Sequence, residues 1–258
     1  LWTIRHRIII TTETITVAII IITVTIITIT TIMETITMTT KSIPSEIKKY
    51  SNYNKYTKYT VAFNYYMKQL EKAGGGKFII KKGTYEMSNS VYIPSNVQVV
   101  LKNGVVLKNI YQTGGAGYPP SNNVFSLCPP SKSKIKGSCK KVSGAKNISI
   151  TGKGNATIDN NFVEGGGTIV ISHNKNVKVS GITFKNQNGG HFLEITGVEN
   201  VVIENCTFKG SKASTRAKNY MKEAINLDTP DSETHGLNAV WVAQDRTDNK
   251  NITITNNV

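Results

Sequence analysis

Cysteine is scarce in this sequence, with three residues in 258. That number is too small for a disulfide scaffold or a four-ligand zinc site built on cysteine. Cys128 and Cys139 bracket the polar loop CPPSKSKIKGSC, where they either form a disulfide in an oxidising compartment or remain two free thiols. Cys206 lies among apolar residues in NCTF and is predicted to be a core residue.

Acidic residues are also few, with 16 against 31 lysines and arginines, which gives a net charge of +15. This balance favours an acidic partner such as a uronate polymer, a teichoic acid or a nucleic acid. The alternative is a lysine-coated surface that is simply solvated. The sequence contains no zinc-finger, helix-turn-helix or RNA-binding signature, and its aromatic residues are not interleaved with the basic ones. Nucleic acid is therefore not an expected partner.

Long apolar runs are absent as well, since none reaches the ~18 residues of a membrane helix. No transmembrane segment is predicted. Residues 1–42 form an Ile/Thr-rich, low-complexity segment that lacks the small-residue cleavage site of a signal peptide. A one-base shift of asparagine codons would produce this bias, so we hypothesise out-of-frame translation and expect no folded structure here. Residues 43–56, rich in Lys, Tyr, Asn and Ser, are predicted to be a linker.

An amphipathic helix is predicted over TVAFNYYMKQLEKA, because its apolar residues recur at helical spacing. The glycines at 74–76 supply the left-handed backbone that ends helices. The segment KFIIKKGTYEM then predicts two short strands that turn at Gly83.

Internal repetition is the strongest signal in the chain. The segments KNISITGKG, KNVKVSGITF, ENVVIENCTF and KNITITNNV each place an asparagine before alternating apolar residues. Spacings of one or two turns of roughly 25 residues indicate a solenoid of short stacked strands. Asparagine tolerates left-handed corners, so a ladder of corner asparagines is predicted. Its members are Asn96, Asn147, Asn176, Asn200 and Asn251.

The predicted fold class is therefore all-β, a right-handed single-stranded parallel β-helix over residues 57–258 with a short N-terminal capping helix. The repeat is still running at Val258, so we expect this domain to be incomplete at its C-terminus.

A second strand series, GTIVIS, HFLEIT and EAINLD, precedes these corners in the repeat. Alternation places one set of side chains inside: Ile169, Ile171, Leu193, Ile195, Ile225 and Leu227. The outward side chains form two columns, Val170–Glu194–Asn226 and Ser172–Thr196–Asp228. This is the face where polar residues capable of chemistry are predicted to gather.

The opening helix with GGGKFIIKKGTYEM and the asparagine-cornered repeats resemble the pectate-lyase superfamily, in particular its polygalacturonase-like branch. This resemblance implies a secreted or cell-surface protein that acts on or binds polysaccharide. The family's catalytic motifs carry over poorly: EAINLDTP offers Asp228 alone where an aspartate-rich strand is expected, and no R-I-K follows His235-Gly236. No calcium cluster can be placed, so no metal site is predicted, and Ca²⁺ is implied only if the protein is a lyase.

Glu194 and Asp228 are the predicted catalytic pair. As diagonal neighbours on adjacent strands, their β-carbons should lie roughly 7–8 Å apart. Glycosidases place paired carboxyl groups about 5–9.5 Å apart. Glu194 is predicted to be the general acid, with its pKa raised by Phe192 beside it, and Asp228 the base. Alternatively both carboxylates only solvate the sheet or pair with Lys209 and Lys222.

Four further residues are predicted to contact substrate: His191, Glu223, Asn226 and Trp241. His191 and Glu223 begin equivalent strands, although His191 is equally compatible with a corner satisfied by backbone groups. Trp241 is compatible with stacking on a sugar ring and equally with a buried anchor for its loop. His173 is predicted to be a solvated corner residue.

Two classes of function follow from these observations. The first is a carbohydrate-active enzyme, a glycoside hydrolase or polysaccharide lyase acting on an acidic polysaccharide. The second is a non-catalytic binder, an adhesin or tailspike-like module on the same solenoid. The sequence leaves the oligomeric state open.

Overall fold

The computed structural model describes residues 34–215, 223–233 and 237–258. Within them the chain coils into a solenoid of short parallel strands with a helix at its N-terminal end. The first strands are β1 (Thr35–Met38), β2 (Gly76–Ile80), β3 (Gly83–Met87), β4 (Val91–Tyr92), β5 (Val97–Leu101), β6 (Val105–Asn109), β7 (Phe125–Ser126), β8 (Lys146–Gly152) and β9 (Thr157–Asp159). The later strands are β10 (Ile169–Ser172), β11 (Lys175–Ser180), β12 (Thr183–Asn188), β13 (Leu193–Thr196), β14 (Glu199–Glu204), β15 (Thr207–Lys212), β16 (Ile225–Asp228) and β17 (Lys250–Thr255).

The strands form three parallel sheets, which identifies the predicted parallel β-helix. Sheet A has the order β1-β2-β5-β8-β11-β14-β17. Sheet B has the order β3-β6-β9-β12-β15, and sheet C has the order β4-β7-β10-β13-β16. Each full turn, or rung, contributes one strand to each sheet, so residues one rung apart lie side by side.

The predicted asparagine ladder is present at the corner that leads into sheet A. The five asparagines have φ angles between 53° and 60°. Each side-chain amide from Asn147 onward donates a hydrogen bond to the Oδ1 of the asparagine one rung earlier, at 2.9–3.0 Å. Asn96 begins the ladder by donating to the Gly74 carbonyl at 2.9 Å. One residue type therefore satisfies both the left-handed backbone and the stacking of rungs.

The interior is a column of apolar side chains, with no polar side chain among the inward positions of sheets A and C in β8, β10, β11 and β13. Cys206 is 1% exposed and belongs to this core, as predicted. Aromatic rings fill part of this column: Phe184 stacks on Phe208 with centroids 5.1 Å apart, and Phe192 packs against both. Burial of this column is the main favourable contribution to folding.

The predicted helix is confirmed as α1 (Lys58–Lys72). Its apolar face packs on the first rung, where Phe63 lies 5.1 Å from Phe78 and Tyr59 lies 5.1 Å from Tyr85, measured between ring centroids. Gly75 follows the helix with a φ of 134°, and a β-carbon there would come within 2.5 Å of the Asn96 carbonyl oxygen. The helix therefore covers the apolar end of the solenoid.

The expectation that residues 1–42 are unfolded is wrong for β1. This strand pairs in parallel with β2, and the side chain of Met38 is fully buried. Alternating Ile and Thr are β-branched strand formers, so the bias that suggested low complexity also produces a strand. Residues 1–33 lie outside the described residues.

The expected linker over residues 43–56 contains a 3₁₀ helix (Ser45–Lys49) whose Ile47 is fully buried against the core. The folded domain accordingly begins before residue 57. In the described ranges, no helix combines the length and apolarity needed to cross a membrane.

Strands β15, β16 and β17 each pair on one side only among the described residues. Inward positions on this last rung are correspondingly open, with Leu227 49% and Ile254 44% exposed. The predicted inward register of Ile225 and Leu227 is nevertheless confirmed, since they pair with Leu193 and Ile195.

Candidate functional site

A groove of about 500 Å³ lies on the outer face of sheet C. This volume is typical of pockets that bind small ligands or segments of polymers. The floor carries outward-facing residues of β10, β13 and β16, since alternate strand residues point to opposite faces. The walls come from turns and loops, and their residues are Asn122, Asn123, Gly165, Gly167, Gly189, Gly190, Leu237 and Asn238.

The two outward columns predicted for sheet C are confirmed in register. Glu194 pairs with Val170 on one side and Asn226 on the other. Thr196 pairs with Asp228, which makes Asp228 the diagonal neighbour of Glu194. The paired carboxylates therefore stand on adjacent rungs and line the same groove.

Glu194 is largely enclosed in the groove, with its side chain 15% exposed, whereas that of Glu223 is 68% exposed. Burial raises the pKa of Glu194, and the nearby charges of Asp228 and Glu223 raise it further. Two neighbours lower the pKa of Glu194: the amide of Asn226, which donates to both carboxylate oxygens at 3.1 and 3.3 Å, and His191 through its charge. Burial is the largest contribution, so Glu194 holds its proton to a higher pH than an ordinary glutamate.

Phe192, the predicted cause of this shift, does not lie in the groove. Its ring packs in the interior against Phe184 and Phe208 and does not line the groove.

His191 lies between two carboxylates at the mouth of the groove. Its Nδ1 is 3.0 Å from the Glu223 carbonyl oxygen and 3.4 Å from that residue's Oε2. Its Nε2 is 3.9 Å from Oε2 of Glu194. The two alternatives for His191 are therefore both observed: its ring bonds to a backbone carbonyl group, and the residue lines the groove. With Nδ1 donating to the carbonyl, Nε2 is the ring nitrogen that faces Glu194.

Asp228 is half-buried on the last strand of sheet C. Its Oδ1 accepts a hydrogen bond from the Thr229 backbone N–H at 2.7 Å, which fixes the carboxylate at the strand end. The alternative pairing of these carboxylates with lysines receives no support from Lys209, which lies on β15 of sheet B. Lys222 and His235-Gly236 lie outside the described residues.

The second outward column reaches the groove only at Asp228. Ser172 and Thr196 are fully buried, and the Thr196 hydroxyl donates to that of Ser172 at 2.8 Å. The prediction that both were exposed is wrong because long loops cover this part of sheet C.

Trp241 anchors one of these covering loops and is not placed for stacking on a sugar. It is 2% exposed and packs with Cys128, Cys139, Val170 and Val242 in a small apolar cluster outside the sheet. The loops are joined by a bridge between residues 139 and 242 and by a hydrogen bond from the Cys139 N–H to the Trp241 carbonyl, at 2.9 Å. Trp241 is therefore a buried anchor for its loop, the second of the two alternatives for this residue.

The same cluster holds Cys128 and Cys139 as free, buried thiols with sulfur atoms 3.9 Å apart. The hydrogen bond between them raises the pKa of Cys128, and burial adds to this effect. The loop that they bracket is thus held against the sheet, and the two cysteines face each other within it.

His173 is fully buried beneath this wall, contrary to the prediction of a solvated corner. Its Nδ1 lies 2.7 Å from the Lys141 carbonyl oxygen and its Nε2 lies 2.9 Å from the Ala243 carbonyl oxygen. Both partners are acceptors, so the ring satisfies both only when both nitrogens carry hydrogen. One side chain therefore ties both covering loops to the strand.

The asparagines and glycines of the walls were missed by sequence reasoning. The pairs Gly165–Gly166 and Gly189–Gly190 are the available signal, since a β-carbon on Gly190 would lie 2.4 Å from the Gly166 carbonyl oxygen. The turns that contain Gly166 and Gly190 can therefore approach this closely only with glycine at position 190. Over the described ranges, no three or more His, Cys, Asp or Glu side chains are grouped to hold a metal ion.

No protein-family model matches the chain. The plasmin and fibronectin-binding protein A of Streptococcus pneumoniae (strain ATCC BAA-255 / R6) is 26% identical over 168 residues, covering 60% of this chain and 22% of the relative. Two solved structures of PfbA, a surface adhesin of Streptococcus pneumoniae, align with TM-scores of 0.58 and 0.55 at 22% and 21% identity. They cover 76% and 78% of this chain and 44% and 48% of the adhesin chains.

The chain therefore spans less than half the length of these proteins. The likeness shows the fold, a right-handed parallel β-helix. Membership of the pectate-lyase superfamily stays a prediction.

Proposed function

We propose that this chain belongs to a secreted or cell-surface protein that binds an acidic polysaccharide along sheet C and hydrolyses it in the groove above Glu194. The observation that carries the proposal is a largely enclosed carboxyl group with a raised pKa, Glu194, in the same groove as a second carboxylate, Asp228. Enzymes that hydrolyse glycosidic bonds need one carboxyl group protonated and one ionised at the same pH.

In the proposed reaction Glu194 donates its proton to the glycosidic oxygen as the bond to the anomeric carbon breaks. Asp228 accepts a proton from a water molecule, whose oxygen forms the new bond to that carbon. The proton on Asp228 then returns to Glu194 through solvent, which restores both groups. The diagonal placement of the two carboxylates favours the wider separation of inverting enzymes, which leaves room for the water.

Asn226 and His191 act as positioning residues in this scheme. The amide of Asn226 holds both oxygens of Glu194 and so fixes the direction of its carboxyl group. His191 faces Glu194 from the other side, and Glu223 flanks it at the mouth of the groove. These three are the proposed substrate contacts on the floor and rim.

The test is turnover of purified variants on a panel of acidic and neutral glycans, measured as new reducing ends. Glu194→Gln and Asp228→Asn should each lower turnover at least ~10²-fold, the usual scale for losing a positioned proton donor or acceptor. The double variant should be little worse than the poorer single variant, since the members of one catalytic unit are not additive. Glu86→Gln, an exposed carboxylate on sheet B, is the matched control and should change turnover less than twofold.

A second candidate function is a non-catalytic surface adhesin that binds polysaccharide on the same solenoid. It is favoured by the relative named as a plasmin and fibronectin-binding protein and by the two adhesin structures. If glycans bind with equal affinity to the wild type and to both carboxylate variants, and no glycan of the panel is cleaved, the hydrolase proposal is wrong and the adhesin takes its place. If no glycan binds, both polysaccharide proposals are wrong.

A further inference from the structure

A second cleft, of about 780 Å³, lies at the N-terminal end of the solenoid. It lies between α1, the residue that follows the 3₁₀ helix, and the beginning of the loop after Cys128. Its lining residues are Tyr50, Tyr65, Lys68, Gln69, Glu71, Lys72, Pro130 and Ser131. We call it the cap cleft, and it shares no lining residue with the groove on sheet C.

The acidic residues at the cap cleft are already engaged by neighbouring groups. Glu71 accepts hydrogen bonds from the Ser131 N–H, at 3.1 and 3.3 Å, and from the Ser131 hydroxyl. These bonds tie the loop to the helix. Glu46 accepts a hydrogen bond of 2.6 Å from the Tyr65 hydroxyl, and this bond lowers the pKa of Glu46. Both carboxylates therefore have structural partners within the protein.

The lysines of the cap cleft have no such partner among the described residues. Lys68 and Lys72 are exposed and lie one helical turn apart, so their ammonium groups project from the same face of α1. No ion pair joins either of them to a carboxylate in the described ranges. Two like charges held side by side favour an anionic group between them.

Aromatic rings supply the other element of the cleft. Tyr50 is 42% exposed, and the ring of Tyr65 is fixed by its hydroxyl bond to Glu46 and by an edge contact with Tyr66, with centroids 5.6 Å apart. Amphipathic rings of this kind offer apolar faces beside polar groups at little entropic cost. Gln69 adds an amide that can both donate and accept.

The surroundings of the cleft are basic as well. Lys48 and Lys49 precede Tyr50, and three more lysines follow Ser131: Lys132, Lys134 and Lys136. The summed positive potential would steer a polyanion toward the cleft. An acidic peptide would also be attracted, but the combination of a flat ring, an amide and paired ammonium groups suits a ring with hydroxyl and carboxylate or sulfate substituents better.

We infer that the cap cleft is a binding site for a segment of anionic polysaccharide, with the carboxylate or sulfate between Lys68 and Lys72 and a sugar ring against Tyr50. The inference rests on the proposal that the partner is a polysaccharide. It does not depend on catalysis in the groove, because the two sites share no residue.

The experiment measures affinity by titration calorimetry for three probes: an oligogalacturonate hexamer, a chondroitin sulfate hexasaccharide and uncharged maltohexaose. Lys68→Gln/Lys72→Gln should weaken binding of the charged probes by about tenfold, since two exposed ion pairs are lost and each is worth up to about a factor of five. The control Lys102→Gln/Lys153→Gln removes the same charge from two exposed lysines of the solenoid body and should change affinity less than twofold. Maltohexaose should bind at least tenfold more weakly than either charged probe.

One further variant distinguishes this site from its alternatives. Tyr50→Ala should weaken both charged glycans but leave a glutamate hexapeptide unaffected. If the hexapeptide binds as tightly as the glycans and Tyr50→Ala changes neither, the cleft is a general anion surface and the inference fails. Every affinity is measured in a Glu194→Gln background, which prevents hydrolysis of the probes, so the result for the cap cleft does not depend on whether the groove is catalytic. Equal losses in the control pair and in the Lys68/Lys72 pair would also overturn the inference.

Discussion

Asn176 offers a direct test of how the asparagine ladder stabilises the solenoid. It has a φ of 57° and lies in the middle of the ladder, donating to Asn147 at 2.9 Å and accepting from Asn200 at 3.0 Å. Asn176→Ala removes both hydrogen bonds, at about 0.5 kcal/mol each for exposed bonds. It also places a residue without a local hydrogen bond in the left-handed region, at about 1 kcal/mol. The total is a loss of about 2 kcal/mol in the free energy of unfolding.

Asn176→Gly separates the two contributions, because glycine adopts the left-handed conformation without steric cost. It should lose about 1 kcal/mol, roughly half the effect of alanine. For a domain of this size 1 kcal/mol corresponds to about 2–4 °C in Tm, so the alanine variant should melt about 4–8 °C below the wild type. Ser149→Ala, an outward residue on β8, is the matched control and should stay within about 0.5 kcal/mol.

The measurement is urea unfolding followed by circular dichroism, with thermal melting as the second readout. If glycine destabilises as much as alanine, the left-handed conformation is not what asparagine provides at this corner. If the alanine variant unfolds at the same urea concentration and temperature as the wild type, the ladder does not contribute to stability, and its recurrence in the sequence needs another reason.

Two shorter predictions concern the groove and its wall. A raised pKa means that folding favours protonated Glu194, so this stabilisation is complete below the ordinary pKa near 4.5 and is lost as pH rises through the folded value. Glu194→Gln should therefore raise the free energy of unfolding at pH 8 and not at pH 4, and a gain that is equal at both pH values would contradict the assignment. The sulfur atoms of Cys128 and Cys139 are 3.9 Å apart, so diamide should link them within one chain while the separately buried Cys206 stays free. Mass spectrometry of unreduced peptides checks this link, and a disulfide to Cys206 would contradict it.

The ladder and sheet C could be predicted from the sequence because both depend on spacing along one rung. Asn147, Asn176 and Asn200 recur with the period of the solenoid, and that period alone determines which side chains meet. Glu194 and Asn226 pair across a long insertion because the alternation on either side of it is unambiguous. Periodicity was therefore sufficient to predict which residues form the floor of the groove.

The walls could not be predicted, because they depend on contacts between loops that are distant in sequence. The Lys141 N–H donates to Asp245, 104 residues away, and His173 reaches Ala243 across 70 residues. Nothing local in AVWVAQD indicates that Trp241 is buried against Cys139. The strand in the Ile/Thr-rich segment could not be predicted either, because composition alone does not show its pairing with β2, which is a tertiary contact.

The net charge of +15 favoured an acidic partner but did not show where the charge would act. In the described ranges, the groove is lined by three carboxylates, Glu194, Glu223 and Asp228, and by no lysine or arginine. Lys68 and Lys72, which form no ion pair among the described residues, line the cap cleft instead.

The separation of the lysines from the groove has a chemical reason in the proposed mechanism. An ammonium group beside Glu194 would favour its ionised form and lower its pKa, whereas burial and two neighbouring carboxylates raise it. A protein that holds a polyanion and also keeps a carboxylic acid protonated therefore gains by placing its lysines away from that acid. Asn226→Lys should therefore reduce the gain in the free energy of unfolding that Glu194→Gln gives at pH 8, and an unchanged gain would show that this electrostatic reason for two separate sites is wrong.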